Sequence, residues 1–282
     1  MILKLQCRDQ KGLVAAITQF VYRNNGNIIN LDQYTDGGEG MFFMRLEWDL
    51  KGFHVQGERL KNRFRAFLKE KKIAASWALF FTGRRERMAV MVSRYDHCLF
   101  DLLYRHKAGE FGCDIPVVLS NHPDLREVAD YFSVPFVCVP VEEGKSQKDA
   151  ERRQMEILKE VGTDFVVLAR YMRILSPLFL KAYPSRIINI HHSFLPAFKG
   201  AKPYHQAWER GVKIIGATSH FVTEDLDQGP IIHQDVVKVS HRDEVEDLVI
   251  RGRDIERRVL AEAVKLYLQK RIFVNANKTY IL

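Results

Sequence analysis

Apolar positions follow two different rhythms along this chain, and the change between them comes near residue 82. Residues 2–7 (ILKLQC) predict a short strand. Leu13, Ala16, Ile17, Phe20 and Val21 then recur at spacings of three and four, which puts one apolar stripe on a helix. Asn25-Gly26 supplies the stop. Strands at 27–35 and 41–48 flank Asp36-Gly37-Gly38, a hairpin-turn signal. Leu60, Phe64, Phe67 and Leu68 mark a second helix, and residues 75–81 (ASWALFF) a fourth strand. The order βαββαβ is the ferredoxin-like split unit, and it predicts a first domain over residues 1–82.

Residues 83–87 are short and charged and read as a linker. Beyond them the apolar residues come in continuous runs at 88–92, 115–119, 136–141, 165–169 and 187–190. Amphipathic segments separate these runs at about 97–106, 124–132 and 147–161. Strands buried on both faces read this way, so the pattern predicts a Rossmann-like parallel sheet covered by helices, an α/β domain over residues 88–282. Strands at 214–222 and 231–239 and a helix over about 243–268 complete it. In such sheets the active site lies at the carboxyl ends of the strands.

Composition adds limits. Hydrophobic residues make up 46% and charged residues 28% of 282, ordinary for a soluble globular protein. The net charge of +8 favours an anionic partner or simply a solvated basic surface. No dense Lys/Arg block with interleaved aromatics appears, so nucleic acid is not expected. Cys7, Cys98, Cys113 and Cys138 form no C-x-x-C pair and read as thiols in a reducing compartment. The charged N-terminus does not read as a signal peptide, and no apolar run is long enough to span a bilayer. A cytoplasmic protein with no membrane partner is the expectation.

Two segments carry chemistry. Along the strand ending near residue 191, side chains alternate, so Asn189 and His191 share a face while His192 points the other way. Pro196 and Gly200 end the strand just beyond. The pair could equally serve local backbone groups. The second segment, residues 220–232, is an acidic loop between two strands, closed by Gly229-Pro230. It reads as a hairpin loop as readily as a site, and spacing alone does not separate Asp225 from Asp227. His220 and His233 lie in or beside strands, but no H-E-x-x-H or cysteine cluster accompanies them, so no metal is expected.

Together the two segments resemble the formyltransferase-type folate enzymes. The matching residues are Asn189-x-His191, Ser193-x-Leu195-Pro196-x-Phe198-x-Gly200 and Asp227-x-Gly229, and the resemblance runs over roughly residues 87–282. It implies Asn189, His191 and Asp227 as the catalytic groups. It places the folate beside Met172, Arg173, Ile174 and Leu175, and beside Glu224 and Leu226. A helix following a sheet strand is the plain structural alternative for Ile174 and Leu175. By the same resemblance, Asn189 donates to the developing oxyanion, and His191 and Asp227 handle the proton.

Relatives in this family differ in their formyl acceptor. The ribonucleotide transformylases carry a glycine-rich phosphate turn after the first strand. The corresponding Ser93-Arg94-Tyr95-Asp96-His97-Cys98-Leu99 has no glycine. The N-terminal module resembles the ACT sensors through Asp9-x-x-Gly12-Leu13 and Asn25-Gly26-Asn27-Ile28. An ACT module joined to this catalytic domain resembles the deformylase branch. That implies hydrolysis of 10-formyltetrahydrofolate by water to formate and tetrahydrofolate, balancing one-carbon and purine-precursor pools. Folate is here the substrate, with no further cofactor. The alternative is formyl transfer to an amine acceptor. The ACT resemblance implies a homo-oligomer and an amino-acid effector (glycine or methionine) near Gly12 and Asn30, or else a module that only joins subunits.

Overall fold

Each rhythm builds its own sheet in the computed structural model, which describes residues 1–55, 57–141, 147–196 and 203–282. The chain divides into two compact units. The first is Met1–Arg84 with Lys270–Phe273 and Tyr280–Leu282; the second is Arg85–Gln269 with Val274–Thr279.

In the first unit, β1 (Ile2–Arg8), α1 (Leu13–Arg23), β2 (Asn27–Asp36), β3 (Met41–Asp49), α2 (Gly57–Glu70) and β4 (Ala75–Phe80) follow the predicted order. The strands form an antiparallel sheet, β2-β3-β1-β4. Leu13, Ile17, Phe20 and Val21 of α1 and Leu60, Phe64 and Leu68 of α2 bury the predicted stripes against Leu3, Leu5, Phe42, Met44, Leu46 and Trp48. Each such side chain contributes about 1.5–3 kcal/mol on burial. The helix stop divides its labour. Asn25 takes the left-handed conformation at φ 59°. Gly26 is needed for close approach, since a Cβ there would lie 2.5 Å from Val21 Cγ1. In the hairpin, the Asp36 carboxylate accepts from the Gly38 and Glu39 amides at 2.9 and 3.1 Å.

Phe43 alternates onto the other face of this sheet. It is fully buried there by Phe273, with centroids 5.8 Å apart, and by the stacked ring of Tyr280 at 4.2 Å. The periodicity of residues 88–282 gave no sign that the chain end returns to the first unit in this way.

In the second unit the elements are β5 (Glu86–Val92), α3 (His97–Lys107), β6 (Cys113–Ser120), α4 (Arg126–Tyr131), β7 (Phe136–Cys138), α5 (Gln147–Glu160), β8 (Phe165–Leu168), α6 (Pro177–Ala182), β9 (Ile187–His191), α7 (Pro203–Glu209), β10 (Ile214–Phe221), β11 (Ile231–Lys238) and α8 (Val245–Leu268). A terminal hairpin, β12 (Ile272–Asn275) and β13 (Lys278–Ile281), follows. The strand order is β11-β10-β9-β8-β5-β6-β7. Strands β9-β8-β5-β6-β7 are parallel, as the continuous apolar runs predict, whereas β10 runs antiparallel to both its neighbours. β5 starts at Glu86, inside the stretch read as a linker. Arg87 joins the ladder because its amide donates to the Asp164 carboxylate at 2.9 Å and its Nε to the Val161 carbonyl at 2.7 Å.

Ala89, Met91, Val117, Leu119, Val166, Leu168 and Ile187 pack against Ile157, Leu158 and Phe179 of α5 and α6. Helix α8 lies against β9, β10, β11 and α3. Residues 171–176 are irregular, not the helix that the plain alternative for Ile174 and Leu175 required. The helix begins only at Pro177, where the Ser176 hydroxyl accepts from the Phe179 amide at 3.3 Å.

Candidate active site

Where β5, β8 and β9 end, their carboxyl ends open onto a cavity of about 670 Å³, within the range of small-molecule sites. Asn189, His191 and Asp227 all line it, as do Met172, Arg173, Ile174, Leu175, Glu224 and Leu226. Met172, Ile174 and Leu226 are each more than half exposed, so these apolar groups have no partner in the protein core. The loop bearing Met172 to Leu175 is pinned from behind. The Ser93 hydroxyl accepts from the Met172 amide at 3.0 Å, Gln147 donates to the Ile174 carbonyl at 2.8 Å, and Glu151 accepts from the Ser176 amide at 2.7 Å.

The end of β9 is fixed by Thr218. Its hydroxyl donates to the Ser193 carbonyl at 2.9 Å and accepts from the Leu195 amide at 3.0 Å and from Gln234 at 2.9 Å. One donor and two acceptor lone pairs are thereby used in full. Phe198 and Gly200, which complete the sequence signature, lie outside the described residues.

The acidic loop resolves what spacing left open. Asp225 is exposed, whereas Asp227 turns inward in a left-handed conformation at φ 56°. Its Oδ2 lies 3.3 Å from His191 Nδ1 and its Oδ1 lies 3.7 Å from His220 Nε2. The loop is drawn tight by the Phe221 amide donating to the Pro230 carbonyl at 3.0 Å, beside a bulge at Ser219/His220. Gly229 permits this, because a Cβ there would sit 1.7 Å from the Phe221 carbonyl oxygen. Hydrogen bonding from His191 holds the Asp227 carboxyl far below the usual carboxylate range, against the opposing effect of burial.

With the His191 Nδ1–H directed at Asp227, the imidazole offers Nε2 to its surroundings. That nitrogen is buried and has no hydrogen-bond partner in the protein. Asn189 Nδ2 lies 3.2 Å from His220 Nε2, and His220 Nδ1 lies 2.9 Å from the Phe221 carbonyl. A carbonyl only accepts, so the His220 proton sits on Nδ1 and Nε2 accepts from Asn189. This fixes which end of the Asn189 amide is nitrogen and leaves its second N–H free to donate.

Comparisons with known proteins show which family the chain falls in. The family profile described as formyl transferase matches residues 86–264, and the ACT domain profile matches residues 1–67. A formyltetrahydrofolate deformylase of Synechocystis is 50% identical over 99% of this chain and 97% of its own length. A solved formyltetrahydrofolate deformylase from Pseudomonas syringae pv. tomato superposes with a TM-score of 0.96 at 42% identity, covering 100% of this chain and 93% of that one.

The chain belongs to the formyltetrahydrofolate deformylase family.

A glycinamide ribonucleotide transformylase from Symbiobacterium toebii matches less of it, with a TM-score of 0.68 at 36% identity over 73% of this chain and 98% of that one. The deformylase arrangement of an ACT module before a formyltransferase-type domain is therefore present here, as the N-terminal βαββαβ pattern predicted.

Sequence reasoning treated His220 only as a candidate metal ligand. Its contact with Asn189 comes from the antiparallel register that sets His220 opposite Asn189, and no local pattern reveals that pairing. His192 was placed on the opposite face by strand alternation, yet it lines the cavity too. The strand ends at His191, so the alternation ends with it. Burial, and next the Arg170 guanidinium, push the His192 imidazole down to about 3, so it is neutral at pH 7.

Among the described residues, His97, Cys98 and Glu256 are the one group of three that brings metal-ligating atoms within 4.8 Å of one another. The donor set fits poorly. Burial raises the Cys98 thiol well above its ordinary value, and Glu256 already accepts from His97 at 2.8 Å and Tyr204 at 2.6 Å.

Proposed function

We propose that this cavity hydrolyses 10-formyltetrahydrofolate to formate and tetrahydrofolate, with Asn189, His191 and Asp227 as the reacting and positioning groups. The observation that carries the reading is a cavity-lining His191 whose buried Nε2 has no partner while Nδ1 is held by an ionised Asp227. An imidazole so oriented takes a proton from water at Nε2 and returns it to the departing folate nitrogen. The water oxygen bonds to the formyl carbon, the carbon–nitrogen bond breaks, and formate and the secondary amine of tetrahydrofolate leave. The free Asn189 N–H meets the oxygen that becomes negative, and one such donor lowers the barrier by about 3–4 kcal/mol.

The folate sits on Met172, Arg173, Ile174 and Leu175, with Glu224 and Leu226 across from them. The exposed apolar side chains of Met172, Ile174 and Leu226 support this seat. No metal or further cofactor takes part in this reading. The testing experiment is acceptor-free turnover: purified protein with 10-formyltetrahydrofolate in buffer should release formate and tetrahydrofolate in equal amounts. Release only after an amine is added would instead support formyl transfer.

In the first unit the reading is an amino-acid effector, glycine or methionine, at the start of α1. Gly12 adopts φ 89° there and has open space around it. Asn30 is exposed, but its carbonyl oxygen already accepts from Arg45 at 3.0 Å, which leaves its amide nitrogen as the contact. Homo-oligomeric assembly through this unit, a cytoplasmic setting and a role in balancing one-carbon and purine-precursor folates complete the proposal. Among the described residues no helix is long and apolar enough to cross a membrane.

A further inference from the structure

The cavity wall holds a second ionic cluster that the hydrolytic mechanism does not use. Glu256 projects from α8 and is only 1% exposed. Its Oε1 accepts from the Tyr204 hydroxyl at 2.6 Å, and its Oε2 lies 2.8 Å from His97 Nε2 and 3.5 Å from Arg170 Nε. Arg170 also stacks over Tyr95 at 4.8 Å, and Tyr204 lies beside His192, whose ring adjoins that of His191. All of these residues line the same cavity as Asn189 and Asp227.

The cover over Glu256 is built at a cost elsewhere. Gly252 lies four residues before Glu256 in the middle of α8, where glycine destabilises a helix by about 1 kcal/mol relative to alanine. A Cβ at Gly252 would come within 2.1 Å of the Tyr204 hydroxyl oxygen and 2.2 Å of Cζ. The glycine therefore gives Tyr204 its path across the helix to the carboxylate. Tyr95 and His97 come from the glycine-free stretch after β5.

An amine competing with water for the formyl carbon arrives largely as an ammonium ion. A buried carboxylate in the wall of the same cavity is the group that would receive it. We propose that Tyr204 and His97, admitted by Gly252, occupy the Glu256 carboxylate so that no amine is held near the formyl group, and that this cover makes water the only acceptor. The proposal rests on the hydrolytic reading and names the residues that set its acceptor specificity.

Uncovering Glu256 should convert part of the turnover to transfer. The held ammonium would first give one proton to the Glu256 carboxylate; the formyl carbon would then leave the folate nitrogen for the neutral amine nitrogen, and a second amine proton would pass to the folate nitrogen. The test uses full-length protein, 10-formyltetrahydrofolate and glycinamide near pH 8, with formate and N-formylglycinamide both quantified. Wild type should give formate alone. Tyr204→Ala and His97→Ala should each raise the N-formylglycinamide fraction by about tenfold or more over wild type, and Glu256→Gln in either background should remove the gain. Gly252→Ala, which displaces Tyr204 without deleting it, should show the same change to a smaller degree.

Folded Tyr204→Ala and His97→Ala proteins that still yield only formate would overturn the proposal. Loss of both products in the two variants would also overturn it, since it would place the pair in the reaction itself. If wild type releases no formate without amine, the hydrolytic reading fails instead, so the two failures are distinguishable.

Discussion

Two carboxylates stand in the wall of one cavity, and they differ in how far each is closed off. Asp227, on a loop, is held by His191 at 3.3 Å, and the far nitrogen of His191 remains without a partner. Glu256, on a long helix, is closed off by Tyr204, His97 and Arg170, with both its oxygens engaged. Both are held below the usual carboxylate range. For Glu256, burial pulls the other way and is outweighed by hydrogen bonds from His97 and Tyr204 and by the Arg170 charge. Ionisation alone therefore does not make a reacting group. His97 Nδ1 is as unpartnered as His191 Nε2, so what separates the two sites is the carboxylate itself: Glu256 is 1% exposed with both oxygens engaged, whereas the Asp227 side chain stays 18% exposed on its loop.

The comparison breaks most sharply at its two acidic members. Asp227→Asn and His191→Ala should each lower kcat by at least 10²–10⁴-fold, measured as formate release, with folate affinity by titration little changed. The double variant should lose little more than the worse single one, because the two act as a unit. Glu256→Gln should act mainly on stability. Leaving His97 and Arg170 buried against a neutral group should cost about 3–5 kcal/mol in denaturant unfolding. A stable Glu256→Gln protein with a kcat as low as that of Asp227→Asn would erase the distinction.

Asn189→Ala should cost less, about 10²–10³-fold in kcat, since it removes one oxyanion donor and leaves the imidazole pair in place. Gly229→Ala should follow. The added Cβ meets the Phe221 carbonyl, so the loop must shift and carry Asp227 away from His191. A displacement of about 1 Å is enough for a loss of up to about 10²-fold, with a much smaller change in thermal midpoint.

The effect least visible in turnover concerns His192 and appears in stability against pH. Its imidazole titrates near 3 in the folded protein and near 6.5 when unfolded. Between those values the unfolded chain binds the extra proton, so stability should fall as pH drops from about 6.5 toward 3. His192→Asn should flatten that part of the unfolding profile while leaving the profile above pH 7 unchanged. An identical slope in both proteins would remove His192 as its source.

Removing residues 1–82 would not cut the molecule cleanly, because Phe273 and Tyr280 would lose Phe43, the ring they cover. Deleting the N-terminal segment thus tests packing of the first unit together with any effector response.

Local periodicity was enough for much of this protein. A helix repeats every 3.6 residues and a strand every two, so the stripes of α1 and α2, the buried strands β5 and β8 and the shared face of Asn189 and His191 all follow from neighbours in sequence. The signature residues around Asn189 and Asp227 likewise sit in single short segments. Other features depend on residues far apart in the chain, whose approach no local repeat encodes. Asp227 is selected over Asp225 by a left-handed residue, a bulge and a glycine contact. His220 reaches Asn189 through an antiparallel register. The cover on Glu256 draws on the stretch after β5, the end of β8, α7 and α8. Sequence spacing fixes which face a side chain takes within its own element. Which group it meets there, and whether that group still has a hydrogen bond to give, is settled only when distant elements pack.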